Sequence, residues 1–233
     1  MTVCAIHQPN FFPWLGYFDK IRRSDIFIFL DEVAYPKSGS GTGSWVNRVK
    51  ILIDGSPAWI GCPVRREHGA QMIRKVRIDD RQPWRKKLLR TLQINYGKSR
   101  NFCRAMQIIE PLVLYETDQL AQFNTHAVRR LCEALKVRGV FASQSDLQVA
   151  GKATELLINL TKSVGADEYL CGDGSGGYLV ESVFQQNNIK LTYQNFVCNS
   201  YADPENFVPG LSIIDFLMRA SDSVATPSTK AGS

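Results

Sequence analysis

The sequence predicts an α/β fold, with a mostly parallel sheet, flanking helices and an inserted basic lobe made of a β-hairpin and helical segments. The first 30 residues follow the order strand, loop, helix, strand, which is a compact parallel βαβ unit. The nearly unbroken apolar run over 25–30 is typical of a strand buried on both faces of a parallel sheet. Strand and helix patterns go on alternating over 140–218, as they do in α/β proteins.

Apolar periodicity and turn residues define the elements in chain order. Alternating or continuous apolar runs predict strands over 3–7, 25–30, 45–53, 58–64, 73–78, 140–143, 168–171 and 190–196. Apolar residues at helical spacing predict helices over 15–23, 83–97, 105–137, 152–164 and 178–187, and a C-terminal helix after Pro209-Gly210 within 207–218. The Asp54-Gly55 turn joins two of these strands into a hairpin. The strand over 73–78 alternates basic and apolar residues, so we expect it to be exposed.

Composition excludes several classes of protein. A hydrophobic content of 44% excludes a disordered or collagen-like chain, and no run of 18 apolar residues is present to span a membrane. The six cysteines include no CxxC pair, which argues against a zinc site or a disulfide scaffold. The N-terminal residues do not have the pattern of a signal peptide, so we expect a cytoplasmic protein. We expect one domain over 1–220 and a disordered tail over 221–233.

Positive charge is concentrated in one stretch. Residues 65–104 hold 13 basic and 3 acidic side chains, within a chain whose net charge is +6. This asymmetry favours an anionic partner such as a nucleotide, a sugar nucleotide, a carrier protein or RNA. The alternative is an ordinary solvated helix face.

The first candidate cluster is His7, Gln8 and Asn10, which lie at the end of the first predicted strand. Ligands of parallel sheets bind outside the carboxyl ends of the strands, and a proline-held turn there presents donors and acceptors together. We therefore expect His7 to be functional, the alternative being a structural histidine.

The second cluster begins with Asp31 and Glu32 at the end of the second strand. Carboxylates there can coordinate Mg²⁺ or accept a proton from an incoming amine. The Asn47-Arg48 pair lies on the predicted hairpin, beside a glycine-rich loop. It suits a carboxylate or phosphate ligand, because guanidinium binds both in bidentate fashion. The alternative is that Asp31 caps a loop and pairs with Arg48. The other candidate binding residues of this segment are Tyr35, Lys37 and Trp45.

The third cluster is the glycine-rich run over 172–178, which contains Gly174, Ser175, Gly176 and Tyr178. Glycines allow close approach of the backbone, and free N–H groups at the start of a helix would hold an anion. The run matches neither the P-loop nor the GxSxG nucleophile elbow, so a plain connecting turn is the alternative. Hydrolysis by Cys or Ser has little support, because neither nucleophile has a recognisable base and orienting partner.

Several segments resemble the WbqC-like family in the same order. They are AIHQPNFFPWLGYFDKI, SDIFIFLDEVAYPKSGSGTGSWVNRVKI, LTKSVGADEYLCGDGSGGYLVESVF and FVPGLSIIDFLM. Members of this family are associated with bacterial surface-polysaccharide (O-antigen) and natural-product gene clusters, and some are described as glycine transferases. The resemblance implies amide formation between an amino acid and an amine.

Combined with the candidate residues, the resemblance predicts an aminoacyl N-transferase or ligase acting on an amino sugar or related small amine. The acyl donor would lie between His7 and Asp31, one of which deprotonates the amine. The donor is either formed from ATP and Mg²⁺ or arrives preactivated, on a tRNA or an acyl carrier protein that docks on 65–104. No metal ligands are predicted. A non-catalytic protein that holds tRNA or a carrier through 65–104 is the rival hypothesis.

Overall fold

Parallel strands form the centre of the fold in the computed structural model, which describes residues 1–36, 44–65, 67, 69–172 and 179–221. The strands, in chain order, are β1 (Val3–His7), β2 (Ile26–Phe29), β3 (Arg48–Ile53), β4 (Ser56–Gly61), β5 (Val140–Ser143), β6 (Glu168–Cys171) and β7 (Lys190–Tyr193). Five of them form a sheet in the order β5-β2-β1-β6-β7, and each neighbouring pair is parallel. β3 and β4 form a separate antiparallel hairpin. The predicted fold class is confirmed.

Helices cover both faces of the sheet. They are α1 (Leu15–Arg22), α2 (Trp84–Tyr96), α3 (Phe102–Val113), α4 (Leu120–Ala134), α5 (Gln144–Leu147), α6 (Ala153–Ser163), α7 (Glu181–Gln186) and α8 (Ile213–Arg219). Ala5 and Phe27 point to the face that packs with α1 to α4 and α8, whereas Cys4 and Ile28 point to the face that packs with α6 and α7. Successive strand residues point to opposite faces, so the apolar run of β2 is buried on both sides.

None of the helices in the described part of the chain combines the length and the apolar character needed to cross a bilayer.

The predicted exposed strand over 73–78 is wrong. The segment forms a 3₁₀ turn at Ile73–Lys75, and Ile73, Val76 and Ile78 are fully buried. The three-residue spacing between Ile73 and Val76 puts both side chains on one side of a helical turn, against α4. Similarly, the helix predicted over 105–137 is interrupted, and its residues belong to α3 and α4.

A buried carboxylate ties the C-terminal helix to the rest of the core. Asp215 in α8 accepts hydrogen bonds from the hydroxyl groups of Tyr96 (2.8 Å) and Tyr201 (2.6 Å). Arg219, one turn later in α8, lies 3.4 Å from the same carboxylate. Tyr96 in turn accepts a hydrogen bond from the Leu52 N–H at 2.8 Å. This network joins α2, α8 and the β3–β4 hairpin.

We expect Asp215→Ala to lower the free energy of unfolding by about 3–5 kcal/mol, because it leaves buried hydroxyl groups and a cation without their acceptor. Denaturant unfolding measures this loss. The matched control is Asp118→Ala, which removes an exposed ion pair to Arg77 and should cost about 0–1 kcal/mol. Equal losses in the two variants would contradict a central role for the Asp215 network.

Candidate functional site

The chain extends the sheet from β1 in two opposite directions. From β1 the chain passes through α1 to β2 and later to β5, and it then crosses through α6 to β6 on the other side of β1. Open parallel sheets bind ligands at such a switch point, outside the carboxyl ends of the strands. These ends are His7 and Cys171. The topology therefore favours the crevice between β1 and β6, whereas sequence reasoning had placed the ligand between His7 and Asp31.

A buried lysine lies at this crevice. Lys20 of α1 is 3% exposed, and its Nζ donates a hydrogen bond to the Ile6 carbonyl oxygen at 2.9 Å. A Cβ atom built on Gly172 would lie 3.8 Å from the same Nζ. The ammonium group is thus held between the ends of β1 and β6. Sequence reasoning missed Lys20, since a lone lysine in a short helix gives no signal of burial.

His7 is held in one tautomer. Its Nδ1 lies 3.1 Å from the Gln8 carbonyl oxygen, and because a carbonyl only accepts, Nδ1 carries the proton and Nε2 keeps a lone pair. The ring packs edge-on against Tyr17 at a centroid distance of 4.8 Å. Burial, together with the charge of Lys20, lowers the pKa of His7 to about 3. The imidazole is therefore neutral at physiological pH.

The turn after β1 is fixed by a residue that sequence reasoning also missed. Asn124 of α4 is fully buried and donates to the carbonyl oxygens of Pro9 (2.8 Å) and Val46 (2.6 Å). The Phe11 N–H donates to the Trp45 carbonyl oxygen at 3.0 Å. These bonds join the His7–Asn10 turn to the segment that leads into β3, so the first predicted cluster and part of the second lie side by side.

Two carbonyl oxygens at this junction are buried without a hydrogen-bond partner among the described residues. They belong to the side chains of Asn10 and Asn124. Most buried polar atoms in proteins have partners, so these oxygens mark a place where an external donor would be stabilised.

Asp31 is engaged with a neighbouring element. Its two carboxylate oxygens accept from the Ser145 N–H (3.0 Å) and the Ser145 hydroxyl group (2.7 Å). The adjacent Glu32 forms an ion pair with Arg74 at 2.8 Å. Asp31 thus ties the end of β2 to α5, and Arg48, its suggested partner, lies over the Trp59 ring instead, at 4.5 Å from the ring centroid.

The other predicted binding residues are dispersed. The Tyr35 N–H donates to the Gln71 carbonyl oxygen at 2.7 Å. Trp45 packs against Trp59 with a centroid distance of 5.0 Å, and the Asn47 side chain donates to the Cys62 carbonyl oxygen at 3.1 Å. The predicted residues that lie outside the described part of the chain are Lys37, Gly174, Ser175, Gly176 and Tyr178.

The buried thiols of Cys4 and Cys132 are poor nucleophiles. Burial raises the pKa of Cys4 and of Cys132 to about 12, so neither forms a thiolate at physiological pH. Over the described ranges, no group of three or more His, Cys, Asp or Glu side chains is arranged to hold a metal ion.

Part of the positive charge over 65–104 is neutralised locally. Four arginines form ion pairs with carboxylates, namely Arg74 with Glu32, Arg77 with Asp118, Arg81 with Asp79 and Arg85 with Asp80. By contrast, Lys86, Lys87 and Arg90 are exposed on α2. The surface available to an anionic partner is therefore smaller than the composition indicates.

Comparison with known proteins agrees with the resemblance read from the motifs. Residues 8–225 match the WbqC-like protein family, so the chain belongs to that family. A protein of Mycobacterium tuberculosis, "Uncharacterized protein Rv1507c", is 32% identical over 225 residues, which cover 93% of each chain. No solved structure matches the chain significantly.

We expect acid to destabilise the protein partly through His7. Between its ordinary pKa of 6.5 and its folded value of about 3, His7 binds a proton in the unfolded state and not in the folded state. The free energy of unfolding therefore falls as the pH decreases through this range. In His7→Gln this contribution is absent, so its stability should fall less between pH 7 and pH 4 in denaturant titrations.

The control for this measurement is His126→Gln. Burial also lowers the pKa of His126, which is stacked on Tyr115, so this variant shows how the loss of another histidine of this kind alters the pH dependence. The same pH profile in His7→Gln and the unaltered protein would contradict the lowered pKa.

Proposed function

We propose that this member of the WbqC-like family is an amide-forming enzyme, an aminoacyl transferase or ligase that joins a glycyl-type group to the nitrogen of an amino sugar or related small amine. An enzyme of this kind would act in the synthesis of surface polysaccharides or natural products. The proposed site is the crevice between β1 and β6. The observation that carries the proposal is the convergence there of His7, Lys20 and Gly172, which come from three separate segments of the chain.

Amide formation requires stabilisation of the negative charge that develops on the acyl oxygen or on the leaving group. A fixed cation away from bulk water does this well, because it needs no reorganisation during the reaction. Lys20 has these properties, since its ammonium group is buried and bonded to the end of β1. We assign to it the binding of the donor's polar end.

The attacking amine must be neutral and correctly oriented. The unprotonated Nε2 of His7 can accept a hydrogen bond from an N–H of the amine and so direct its lone pair to the acyl carbon. A pKa of about 3 makes the imidazole a poor base for an ammonium group. The proton released on amide formation would then go to the leaving group, which is a phosphate, a ribose hydroxyl or a thiol depending on the donor.

Asp31 contributes differently in this proposal. Because both of its oxygens are bonded to Ser145, it acts by positioning the end of β2 and α5 and not by taking a proton from the amine.

The rival function, a non-catalytic protein that holds tRNA or an acyl carrier protein, is favoured by the exposed Lys86, Lys87 and Arg90 on α2.

The donor can be identified by mass spectrometry. The purified protein is incubated with an amino sugar and, separately, with ATP plus glycine, glycyl-tRNA or a glycyl carrier protein. We expect amide product from one mixture, and we expect His7→Phe to slow its formation by about 100-fold or more because the acceptor on the ring is lost. His7→Gln, which restores an acceptor, should recover part of the rate, and His126→Gln should leave it unchanged.

The outcomes separate the two functions. No product from any donor, with salt-sensitive binding of tRNA or carrier protein, would favour the binding protein. Product formed at the same rate by His7→Phe would place the reaction away from β1.

A second variant tests the buried cation. We expect Lys20→Met to reduce kcat by about 100-fold or more, because it removes a positive charge from the site. Met has a similar length and carries no charge that must be desolvated on folding, so the unfolding midpoint should be close to that of the unaltered protein. Lys136→Met, which removes an exposed charge outside 65–104, is the control. A folded Lys20→Met variant with full activity would contradict the proposal.

A further inference from the structure

The β3–β4 hairpin presents cations and an aromatic ring on one face. In the strand register Arg48 is opposite Gly61, and Lys50 is opposite Trp59. Opposite residues of an antiparallel pair point to the same side, so these four positions share a face, while the intervening Val49 is fully buried on the other. The Arg48 guanidinium lies 4.5 Å from the centroid of Trp59, and the Lys50 Nζ lies 5.3 Å from it.

This face borders a pocket next to α2. The pocket has a volume of about 410 Å³, within the range of small-molecule sites. Arg48 and Lys87 contribute positive charge to its lining, which includes no carboxylate among the described residues. The rest of the lining combines Trp59 with apolar side chains and the amide groups of Asn47 and Gln82. Such a lining suits a ligand with both an anionic and an organic part.

Arg48 differs from the arginines on the neighbouring surface. Arg74, Arg77, Arg81 and Arg85 each pair with a carboxylate, whereas Arg48 has no ion pair within the described ranges. Its Nε atom is buried and has no hydrogen-bond partner there, which is also true of the Arg85 Nε, but the guanidinium of Arg85 is paired with Asp80. A buried donor without an acceptor is costly, and an anion in the pocket would remove that cost. The contact with Trp59 holds the guanidinium plane in place, as bidentate binding requires.

A glycine allows β4 to pack closely against Arg48. A Cβ atom at Gly61 would lie 2.6 Å from the Asn47 carbonyl oxygen and 2.9 Å from Cβ of Arg48. These distances are shorter than van der Waals contact, so β4 can approach this closely only without a side chain at this position. At Gly61 the lining of the pocket is therefore backbone.

We propose that this pocket binds a diphosphate-bearing small molecule, of the chemistry that nucleotides and sugar nucleotides share. The phosphates would lie at Arg48 and Lys87, with Lys50 adding to the field, and the organic part would lie against Trp59 and the apolar lining. Two separate cations favour a diphosphate over a single carboxylate. The site is distinct from the crevice between β1 and β6, and the proposal does not depend on the reaction proposed there.

Calorimetric titration of the full chain at low salt tests the proposal, with ADP, a UDP-sugar, inorganic pyrophosphate and adenosine as probes. We expect ADP or the UDP-sugar to bind more tightly than pyrophosphate, and adenosine to bind weakly or not at all. The tighter of the two nucleotide probes identifies the source of the diphosphate. Pyrophosphate binding as tight as both would overturn the role of the organic part.

Substitutions in the lining of the pocket show where the nucleotide binds. Lys87→Gln removes an exposed charge and Arg48→Lys keeps the charge while removing the planar fork, and we expect each to weaken binding about tenfold or more. Lys86→Gln, one residue earlier on α2 and outside the lining of this pocket, should change the affinity less than about twofold by comparison.

Three results would overturn the proposal. The first is the absence of binding by both nucleotide probes at millimolar concentration. The second is an equal effect of Lys86→Gln and Lys87→Gln, which would indicate unspecific attraction to the surface of α2. The third is loss of binding in His7→Phe with full binding in Arg48→Lys and Lys87→Gln, which would place the nucleotide between β1 and β6. Amide synthesis plays no part in these measurements, so their failure leaves the proposed reaction independently testable.

Discussion

The position of β1 between β2 and β6 is the constraint on which the rest of the structure depends. Both neighbours are parallel to β1, but the chain reaches them by crossovers that cover opposite faces of the sheet. The connections therefore diverge at the carboxyl ends of β1 and β6 and leave a crevice there. Polar side chains at these ends can face a ligand without disturbing the packing of either face.

The crevice at the ends of β1 and β6 contains a buried positive charge. Lys20 is held by a main-chain carbonyl oxygen at the end of β1, and its charge, added to burial, keeps the nearby His7 neutral. A neutral imidazole and a buried ammonium group are complementary, since the first accepts a hydrogen bond and the second offers positive charge. Asp215 is also buried, but two tyrosines and Arg219 satisfy its oxygens. It therefore stabilises the core and does not take part in ligand binding.

The side-chain amide of Asn124 helps to join the hairpin to the sheet. Asn124 binds both the turn after β1 and the segment that precedes β3, so the two candidate sites are fixed relative to each other by α4. A ligand at either place would meet a surface already ordered by the core. Such preorganisation reduces the entropy lost on binding.

The sequence by itself determined most of the elements and the family. The strands β5 and β6 lie where their apolar runs predict them, the hairpin turns at Asp54-Gly55, and His7 is the last residue of β1, at the carboxyl ends of the parallel strands. The local pattern failed at Ile73–Lys75, where burial under α4 follows a spacing of three residues. Only the tertiary structure decided that β6 lies beside β1, that Lys20 is buried and that Arg48 lies over Trp59 and not beside Asp31. The reason is that periodicity records which side of an element is apolar, whereas neighbours distant in the chain are chosen by the packing of whole layers.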